Sequence, residues 1–495
     1  MEVGIAWVRE TETHAKLGQG SRSCLVRAVT VGNLPREDPP EQRGQPRNME
    51  ASMGNTTDNI DGQLVSTKQA RIATLARIHV DEGVNYLHHF WDIHWMIEAF
   101  ERTRKDGAPG TDGVTWEAYG ENLYENLQAL LERANAGTYR APPVKRIYIP
   151  KGNGELRPIG IPTLEDRVLQ RAVLMLLEPI MEQEFLDVSF GFRKGRSAHQ
   201  ALERIWQNTA NGGMNWVIDI DIRKFFDTLD HGHLRKMLRE RVQDGVVLRL
   251  IDKWLSAGVL EGGCWHDEET GTPQGGVISP LLANLYLHVV MDKWLARDVP
   301  PYLKGRVHLV RYADDAVIGC ECKADADMLM RVLPKRLGKY GLTLHPEKTR
   351  LVRFVRPRSR NGKNTDEQPP ETFNFLGFTH YWGRSRKGSQ VVFRKTAKDR
   401  FKRSLAAIWT WCRNVRHTPI QEQHRILCAK VRGHYAYYGI TGNYISLGSF
   451  VFRVTKHWYT WLGRRGNKVR LTWERFSELL QNLPLPRPRV VHSIM

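Results

Sequence analysis

The segment WVIDIDIRKFF, residues 216–226, constrains the fold of this 495-residue chain more than any other part of it. Successive side chains of a β-strand point to opposite faces of the sheet. Asp219 and Asp221 therefore share one face, while the isoleucines that alternate with them share the other. Acidic side chains beside an apolar core are costly unless positive charge compensates them. The segment thus predicts a strand with one apolar face and one face that presents two carboxylates.

A second pair of carboxylates lies in VHLVRYADDAVIGC, residues 307–320. Apolar residues flank Asp314 and Asp315, which fall at the turn of a predicted hairpin. Alone, two aspartates in a turn are explained by turn propensity. Together with Asp219 and Asp221 they indicate a site for hard cations, because Mg²⁺ prefers a few carboxylates plus substrate phosphates. Two such ions about 4 Å apart stabilise the attacking and leaving oxygens of a phosphoryl transfer.

The remaining pattern indicates a mixed fold. Helical periodicity alternates with short strands as far as residue 383, and mostly helical sequence follows. A hairpin is predicted over Val144–Pro162, with Lys151–Glu155 as its turn. A helix is predicted from Ser66, where Ser and Thr precede apolar residues at helical spacing. Residues 1–60 show little periodicity and include a Pro-rich charged stretch, so they are predicted to form a disordered leader.

The net charge of +19 is confined to one end of the chain. Residues 384–495 contain 23 Lys and Arg against 4 Asp and Glu, whereas residues 1–383 contain 50 of each. Such a surplus indicates a polyanionic partner, either nucleic acid or an anionic membrane surface. The basic segment also contains five Trp, five Tyr and five Phe. Cations interleaved with aromatic rings suit RNA, although the aromatics can instead form a helical core with the cations as a solvated face.

Other classes of protein are disfavoured by the sequence. The six cysteines are scattered without a Cys-x-x-Cys pair, which argues against a disulfide framework or a four-cysteine zinc site and favours a reducing, intracellular location. No run of 18 apolar residues exists, and the first residues lack the pattern of a signal peptide. We therefore expect no membrane partner.

Five sequence blocks follow one another in a fixed order. They are Asp221 with Phe225-Phe226, TPQGG at 272–276, YADD at 312–315, GLTLHPEKT at 341–349 and FLGF at 375–378. This series resembles the motifs of reverse transcriptases, and most of all those of the group II intron-encoded reverse transcriptase/maturases. Upstream, KDGAPGTDG at 105–113 and FGFRKGRS at 190–197 resemble the fingers of that family. Downstream, VRGHYAYYG at 431–439 resembles its maturase domain, so the similarity covers roughly residues 66–495.

The resemblance implies an α+β fold in which a right-hand polymerase, with fingers and palm, is followed by an α-helical thumb/maturase (X) domain. The expected organisation is a leader at 1–60, an N-terminal extension with the start of the fingers at 61–140, fingers and palm at 141–383, and a basic RNA-binding domain at 384–495. The implied activity is RNA-directed DNA polymerisation with two Mg²⁺ ions and dNTP substrates. The implied partners are an RNA template with a DNA primer, target DNA, and the group II intron RNA whose splicing the protein assists, in the bacterial cytoplasm or nucleoid.

The resemblance also implies which residues bind the metal ions. Asp221, Asp314 and Asp315 match the family's metal-binding carboxylates. Asp219 is a rival for the first of these roles, but the distance along the chain from Asp221 to Phe226 fits the family's spacing. Phe226 would lie under the incoming sugar and exclude a 2′-hydroxyl, or else be a core residue.

Four further residues match positions that contact the incoming nucleotide. Lys151 and Arg157, across the predicted hairpin turn, would hold the triphosphate, because guanidinium can bind phosphate in a bidentate manner. The alternative is that both are solvated charges of a hairpin. Gln274 lies in a Gly/Pro loop, where the backbone can approach a ligand closely. Lys348 would hold or protonate the leaving pyrophosphate.

In the basic domain the candidates for RNA binding are seven cations: Arg413, Arg416, Lys430, Arg432, Arg464, Arg465 and Lys468. Two other functions stay open on the sequence. One is an RNA-binding splicing factor with an inactive polymerase, although the intact acidic motifs argue against decay. The other is a non-intron bacterial reverse transcriptase of the retron or defence type, against which the large maturase-like segment argues. No cysteine follows Cys428, so we expect no HNH endonuclease of the kind that many family members have.

We predict that Asp221→Ala and Asp314→Ala each abolish nucleotide addition, because each substitution removes a carboxylate ligand of the metal site. Extension of a DNA primer on an RNA template measures the effect. A variant that retains nearly the parental rate of extension would contradict the assignment.

Overall fold

The computed structural model describes residues 54–150, 156–261, 264–266, 275–357, 359–360, 363–364, 369–466 and 471–493. Within these ranges the chain folds around two apolar cores. The larger core joins the N-terminal helices to one face of a central sheet. The second core joins the other face of that sheet to the C-terminal helices.

The strands in these ranges are β1 (Val144–Pro150), β2 (Leu156–Ile161), β3 (Trp216–Ile220), β4 (Val259–Glu261), β5 (Cys264–His266), β6 (Val307–Tyr312), β7 (Asp315–Cys320), β8 (Arg350–Arg353), β9 (Ser359–Arg360), β10 (Lys363–Asn364), β11 (Phe373–Phe375), β12 (Phe378–Arg384) and β13 (Gln390–Thr396). They form sheets with the strand orders β2-β1-β4-β5, β6-β7-β3-β8, β10-β9 and β11-β12-β13. The first of these is the hairpin sheet, because β1 and β2 pair antiparallel as the sequence predicts. The second is the central sheet.

The helices in these ranges are α1 (Gly54–Ile78), α2 (Ile93–Glu101), α3 (Trp116–Gly120), α4 (Leu123–Asn135), α5 (Leu164–Met181), α6 (Ala198–Ala210), α7 (His231–Arg239), α8 (Gly245–Leu255), α9 (Ser279–Leu287), α10 (Lys293–Arg297), α11 (Lys323–Gly338), α12 (Lys398–Asn414), α13 (Ile420–Tyr438), α14 (Tyr444–Leu462) and α15 (Trp473–Asn482). Helix α5 is buried along most of its length, which explains its strongly apolar sequence. A π-helical turn, His288–Asp292, joins α9 to α10. Within the described ranges no helix is both long and apolar enough to cross a membrane.

The central sheet is buried on both faces. Ile218 and Ile220 of β3 point into the larger core, whereas Val217 of the same strand and Val317 of β7 point into the second core. The prediction that one face of β3 is apolar is therefore confirmed, but the opposite face is apolar at its start and becomes acidic at Asp219. Strand alternation does not reveal this, because the cover on that face comes from other elements, which include α6 before the strand and α12 to α14 far beyond it.

The first described helix begins earlier in the chain than the sequence predicts. Helix α1 begins at Gly54, inside the range 1–60 that was predicted as a leader, and Ser66 lies within the helix. The Ser66 hydroxyl donates to the Gln63 carbonyl at 2.9 Å, and so does the Thr67 hydroxyl. Hydroxyl groups inside a helix can be satisfied in this way, so a Ser-Thr pair does not by itself mark a helix start. Residues 1–53 lie outside the described ranges.

The boundary predicted at residue 383 also differs from the structure, because it falls inside β12. Strand β13 follows in a region that was expected to be mostly helical, and it pairs with β12 from Phe378↔Thr396 to Arg384↔Gln390. Helices α12 to α15 then complete the C-terminal module, which we define as the described residues from 384 onward. Its apolar side chains share the second core with the central sheet, so the module is not an independent body.

We predict that Phe450→Ala destabilises the protein by about 3–5 kcal/mol, whereas Phe452→Ala changes its stability little. Phe450 is fully buried in the second core and stacks on the His434 ring at 3.6 Å between centroids. Phe452 lies on the same helix but is 57% exposed. Urea unfolding of both variants measures the difference, and equal losses of stability would contradict the placement of the core.

Candidate active site

Asp221 directly follows β3, and the loop before β8 holds its backbone. The His345 amide donates to the Asp221 carbonyl at 2.8 Å, and the Thr349 hydroxyl donates to the same carbonyl at 3.3 Å. These bonds bring the GLTLHPEKT block to the end of the acidic strand. As a result Lys348 Nζ lies 3.3 Å from Asp221 Oδ2.

The second acidic pair lies at the turn between β6 and β7. Tyr312 and Asp315 pair across the turn, and Ala313 has a left-handed conformation with φ of +58°. Gly191 packs so closely against the turn that a Cβ at this position would clash with the Ala313 amide nitrogen. The FGFRKGRS block therefore needs glycine where its backbone crosses the turn.

Pairing of β3 with β7 places the two acidic segments against each other. Asp219 pairs with Val317 and Ile220 with Ala316, so the next position in the register sets Asp221 opposite Asp315. Directly opposed side chains of antiparallel strands have Cβ atoms about 4.5–5.5 Å apart. The site that the sequence predicted from two separate segments is thus brought together by strand register.

The environment of these carboxyl groups opposes their ionisation. Burial raises the pKa of Asp314, and the charge of Asp221 adds to this shift. Burial, together with the charges of Asp314 and Asp221, raises the pKa of Asp315 to about 6. Like charges held close together in a site of low polarity are unfavourable, so the site favours a bound cation.

The donor set fits a divalent cation. Oδ1 of Asp314 is buried and has no hydrogen-bond partner among the described residues. Within the same residues no group of three His, Cys, Asp or Glu side chains is arranged to hold a metal ion by itself. Mg²⁺ usually takes one or two carboxylates and completes its shell with water and substrate phosphates. A site whose carboxylates supply only part of the coordination shell is consistent with an ion that binds together with a nucleotide.

Asp219 has a different environment from Asp221. Its partner in register on β8 is Arg350, whose Nε lies 3.6 Å from Asp219 Oδ2. Burial raises the pKa of Asp219 to about 6, and Arg350 opposes that shift. Asp219 also lies two residues further from the β6–β7 turn than Asp221 does. The geometry therefore favours Asp221 as the acidic partner of the turn.

Two of the expected nucleotide-binding cations lie close to the acidic groups. Lys348 pairs with Asp221, and Arg157 of β2 exerts a positive charge on Asp314 that partly offsets the upward shift of its pKa. Lys151 and Gln274 lie outside the described residues. Gly275, which follows Gln274, has φ of +124°, and a Cβ there would clash with the Gly160 carbonyl of β2. The loop after Gln274 therefore packs on the strand that contains Arg157.

Phe226 lies in a short 3₁₀ turn after Asp221, Phe225–Asp227. Its ring packs edge-to-face on Phe225 at 5.3 Å, and it is 8% exposed at the margin of the larger core. Lys224, which precedes the turn, has φ of +48° and reverses the chain direction. Phe226 is thus a core residue for most of its surface, and a small part of it remains exposed.

A cavity of about 230 Å³ lies between the acidic site and the C-terminal module. Asp219 and Asp315 line one side, and Asp399, Arg400 and Tyr437 line the other. The charge of Arg400 partly offsets the upward shift of the Asp315 pKa, which burial and the neighbouring acids cause. Arg400 was not predicted from the sequence as a site residue, although it is a basic residue in the first turn of α12, the helix that follows the FLGF block.

The seven candidate RNA-binding cations have different surroundings. Arg413 and Arg432 are exposed, and Arg416 donates to the Arg413 carbonyl at 2.8 Å. Arg465 donates to the Thr418 carbonyl, so the ends of α12 and α14 place Arg413, Arg416 and Arg465 in one region.

Two further members of the set lie over aromatic rings. Arg464 lies over the Trp461 ring at 4.9 Å and Lys430 over the Trp411 ring at 5.5 Å. Lys468 lies outside the described residues. In each contact a cation lies over a largely buried aromatic ring, which agrees with the alternative of aromatics in a helical core and cations on its surface. RNA binding by these cations stays a prediction.

Comparison with known proteins identifies the family. The sequence profile described as "Reverse transcriptase (RNA-dependent DNA polymerase)" matches residues 149–380. The chain is 34% identical over 347 residues to Protein YkfC of Escherichia coli, which covers 61% of this chain and 91% of that protein. It is 37% identical over 229 residues to the group II intron-encoded protein LtrA of Lactococcus lactis, covering 46% of this chain and 37% of that protein.

The chain belongs to the group II intron-encoded reverse transcriptase/maturase family. Nuclear intron maturase 2 of Arabidopsis thaliana is 29% identical over 232 residues, which cover 39% of this chain and 30% of that protein. The chain thus spans most of the length of one relative and about a third of the other two. In this family member the matched region is the polymerase fold of palm and fingers. It contains the central sheet and strand β2 of the hairpin, whereas most of β1 lies before it.

We predict that Phe226→Ala increases incorporation of ribonucleotides, because the variant lacks the phenyl ring that would exclude a 2′-hydroxyl. Single-nucleotide extension with a dNTP and the matching rNTP measures the ratio of kcat/KM values. A variant that loses activity on both nucleotides equally would show that Phe226 is a core residue without a role in sugar selection.

Proposed function

We propose that this protein is an RNA-directed DNA polymerase that also acts as the maturase of a group II intron RNA. The observation that supports the polymerase is the approach of Asp221 to Asp314 and Asp315, through the register of β3 with β7. Asp221, Asp314 and Asp315 would hold two Mg²⁺ ions, which stabilise the attacking and leaving oxygens of nucleotidyl transfer. The reaction joins a primer 3′-hydroxyl to the α-phosphate of a dNTP and releases pyrophosphate.

The protein's own side chains position the substrates in this reaction. Arg157 and Lys151 bind the triphosphate from the hairpin, and Phe226 sets the position of the sugar. Lys348 has a cation-binding carboxylate as its partner at 3.3 Å. From this position Lys348 would hold or protonate the leaving pyrophosphate. Catalysis then depends on fixed positions and charges more than on covalent chemistry.

The C-terminal module supplies the surface for RNA in this proposal and serves as the thumb and X domain. Residues 384–495 together have a surplus of 19 positive charges, and a surplus of this size suits a polyanionic partner. Beyond the cations at the ends of α12 and α14, one face of α14 exposes Tyr444, Phe452 and Lys456, with Lys456 Nζ over the Phe452 ring at 4.5 Å. Exposed rings beside cations suit unpaired bases and phosphates.

Primer extension is the test of the polymerase. The full chain is incubated with a DNA primer on an RNA template, dNTPs and Mg²⁺, with Asp314→Asn as the inactive variant and the exposed Asp298→Asn as its control. We expect extension by the parent and by the control. Binding of intron RNA without any extension by the parent would instead support the splicing factor with an inactive polymerase.

We predict that Arg413→Gln combined with Arg464→Gln weakens binding of a labelled group II intron transcript. The slope of log K against log salt concentration should fall by about 0.7–0.9 for each phosphate that the protein no longer neutralises. The control combines Arg297→Gln with Arg331→Gln, because these exposed arginines lie on α10 and α11, outside the module. An equal decrease of affinity in both double variants would contradict an RNA surface on the module.

A further inference from the structure

Arg311 is a fully buried arginine in the strand that leads to the acidic turn. Its Nε donates to Asp292 Oδ1 at 2.8 Å and its Nη2 to Asp292 Oδ2 at 2.5 Å, and neither side chain is exposed. Burial alone would raise the pKa of Asp292, but the charge and hydrogen bonds of Arg311, together with the neighbouring His288, outweigh it, so the pKa is lowered. The pair is therefore a charged one inside the protein.

The remaining nitrogen of Arg311 contacts the acidic turn itself. Nη1 donates to the Ala313 carbonyl and to Asn284 Oδ1, both at 2.9 Å. The Ala313 carbonyl belongs to the peptide that joins Ala313 to Asp314, so this bond fixes the backbone immediately before the first acidic side chain of the turn. Ala313 has φ of +58°, a conformation that costs a residue other than glycine free energy unless its surroundings hold it.

Asn284 of α9 connects the same arginine to the segment that crosses the turn. Its Nδ2 donates to the Gly191 carbonyl at 2.7 Å while its Oδ1 accepts from Arg311. The backbone of Arg311 is bound to the same crossing segment, since its amide donates to the Val188 carbonyl at 2.8 Å. The turn is thus held by the hydrogen bond from Arg311 to the Ala313 carbonyl and by the close packing of Gly191 on Ala313.

Stability alone does not account for this arrangement. Replacing a buried ion pair by apolar side chains of similar volume is often neutral or stabilising. Asp221 lies opposite Asp315 in the register of β3 with β7, so carboxylates meet at the turn and repel one another when they are charged. The turn therefore keeps its position for metal binding only if other contacts hold it.

We infer that Arg311, oriented by Asp292 and Asn284, is a positioning residue that sets the Ala313–Asp314 peptide so that the acidic turn is preorganised for divalent cations. The inference rests on the proposed polymerase function for its biological meaning. The pair of Arg311 and Asp292 is neutral as a unit, so its effect on the metal site comes from geometry and not from added charge. A lysine at position 311 can keep the ion pair, but it lacks the planar fork that reaches Ala313 and Asn284 as well.

The test compares Arg311→Lys with Arg241→Lys in the full chain. Arg241 is also buried and also combines a carboxylate partner, Glu184, with backbone carbonyls, one of them Ala76 at 2.8 Å, but it does not touch the turn. Primer extension is measured as a function of Mg²⁺ concentration. We expect Arg311→Lys to raise the Mg²⁺ concentration for half-maximal rate roughly 10-fold or more, as loss of outer partners of metal ligands does, and to recover rate at saturating Mg²⁺. Arg241→Lys should leave that concentration unchanged.

Gly191→Ala provides a second variant, because its Cβ would clash with the Ala313 amide nitrogen and displace the turn while Arg311 is unchanged. It should shift the Mg²⁺ requirement in the same direction. Binding of Mn²⁺, followed by electron paramagnetic resonance with primer, template and an unreactive dNTP analogue, gives a readout without turnover. Failure of the parent to extend primers would contradict the proposed function, while weaker Mn²⁺ binding by Arg311→Lys would still support the inference. An unchanged Mg²⁺ and Mn²⁺ dependence in both Arg311→Lys and Gly191→Ala would overturn it.

Discussion

Mutual repulsion between three closely spaced carboxylates is the constraint on which the rest of the structure depends. The register of β3 with β7 sets Asp221 opposite Asp315, and the turn adds Asp314 beside them. Burial and neighbouring charge both oppose ionisation of the two turn aspartates. An arrangement of this kind is unfavourable for folding by itself, so other parts of the chain must hold it in place. A bound cation relieves the repulsion. The same arrangement that is unfavourable without a cation therefore favours the binding of metal ions.

The supports of the acidic site come from segments that are distant in sequence. The loop before β8 holds the Asp221 backbone through His345 and Thr349, and it brings Lys348 to the carboxylate. Gly191 packs closely on Ala313 of the turn, and Arg311, paired with the buried Asp292, donates a hydrogen bond to the Ala313 carbonyl. Each of these supports uses backbone atoms or a fork of hydrogen bonds, and such contacts restrict position more sharply than apolar packing does.

The central sheet is covered on both faces, and this couples the acidic site to the basic C-terminal module. The larger core lies on the isoleucine face of β3, and the second core joins the valine face to α12, α13 and α14. Arg400 and Tyr437 of the module line the cavity that Asp315 also lines. The sequence suggests that the surplus of positive charge belongs to a separate segment. In the structure that segment shares its core with the polymerase fold. This is why the boundary predicted at residue 383 falls inside a strand.

The sequence by itself determined the alternation of β3, the hairpin turn with Asp314 and Asp315, and the location of the positive charge, because strand periodicity, turn propensity and composition are local properties. It also determined the family, through the order of its motifs. Only the tertiary structure decided that the acidic face of β3 is partly buried, that Arg400 reaches Asp315, and that Arg311 binds the Ala313 carbonyl. The first two features depend on contacts between residues that are far apart in the chain, such as Arg400 and Asp315, and Arg311 is oriented by Asp292 and Asn284 of other elements. Local patterns contain no information on which distant segment will cover a face or fill a turn.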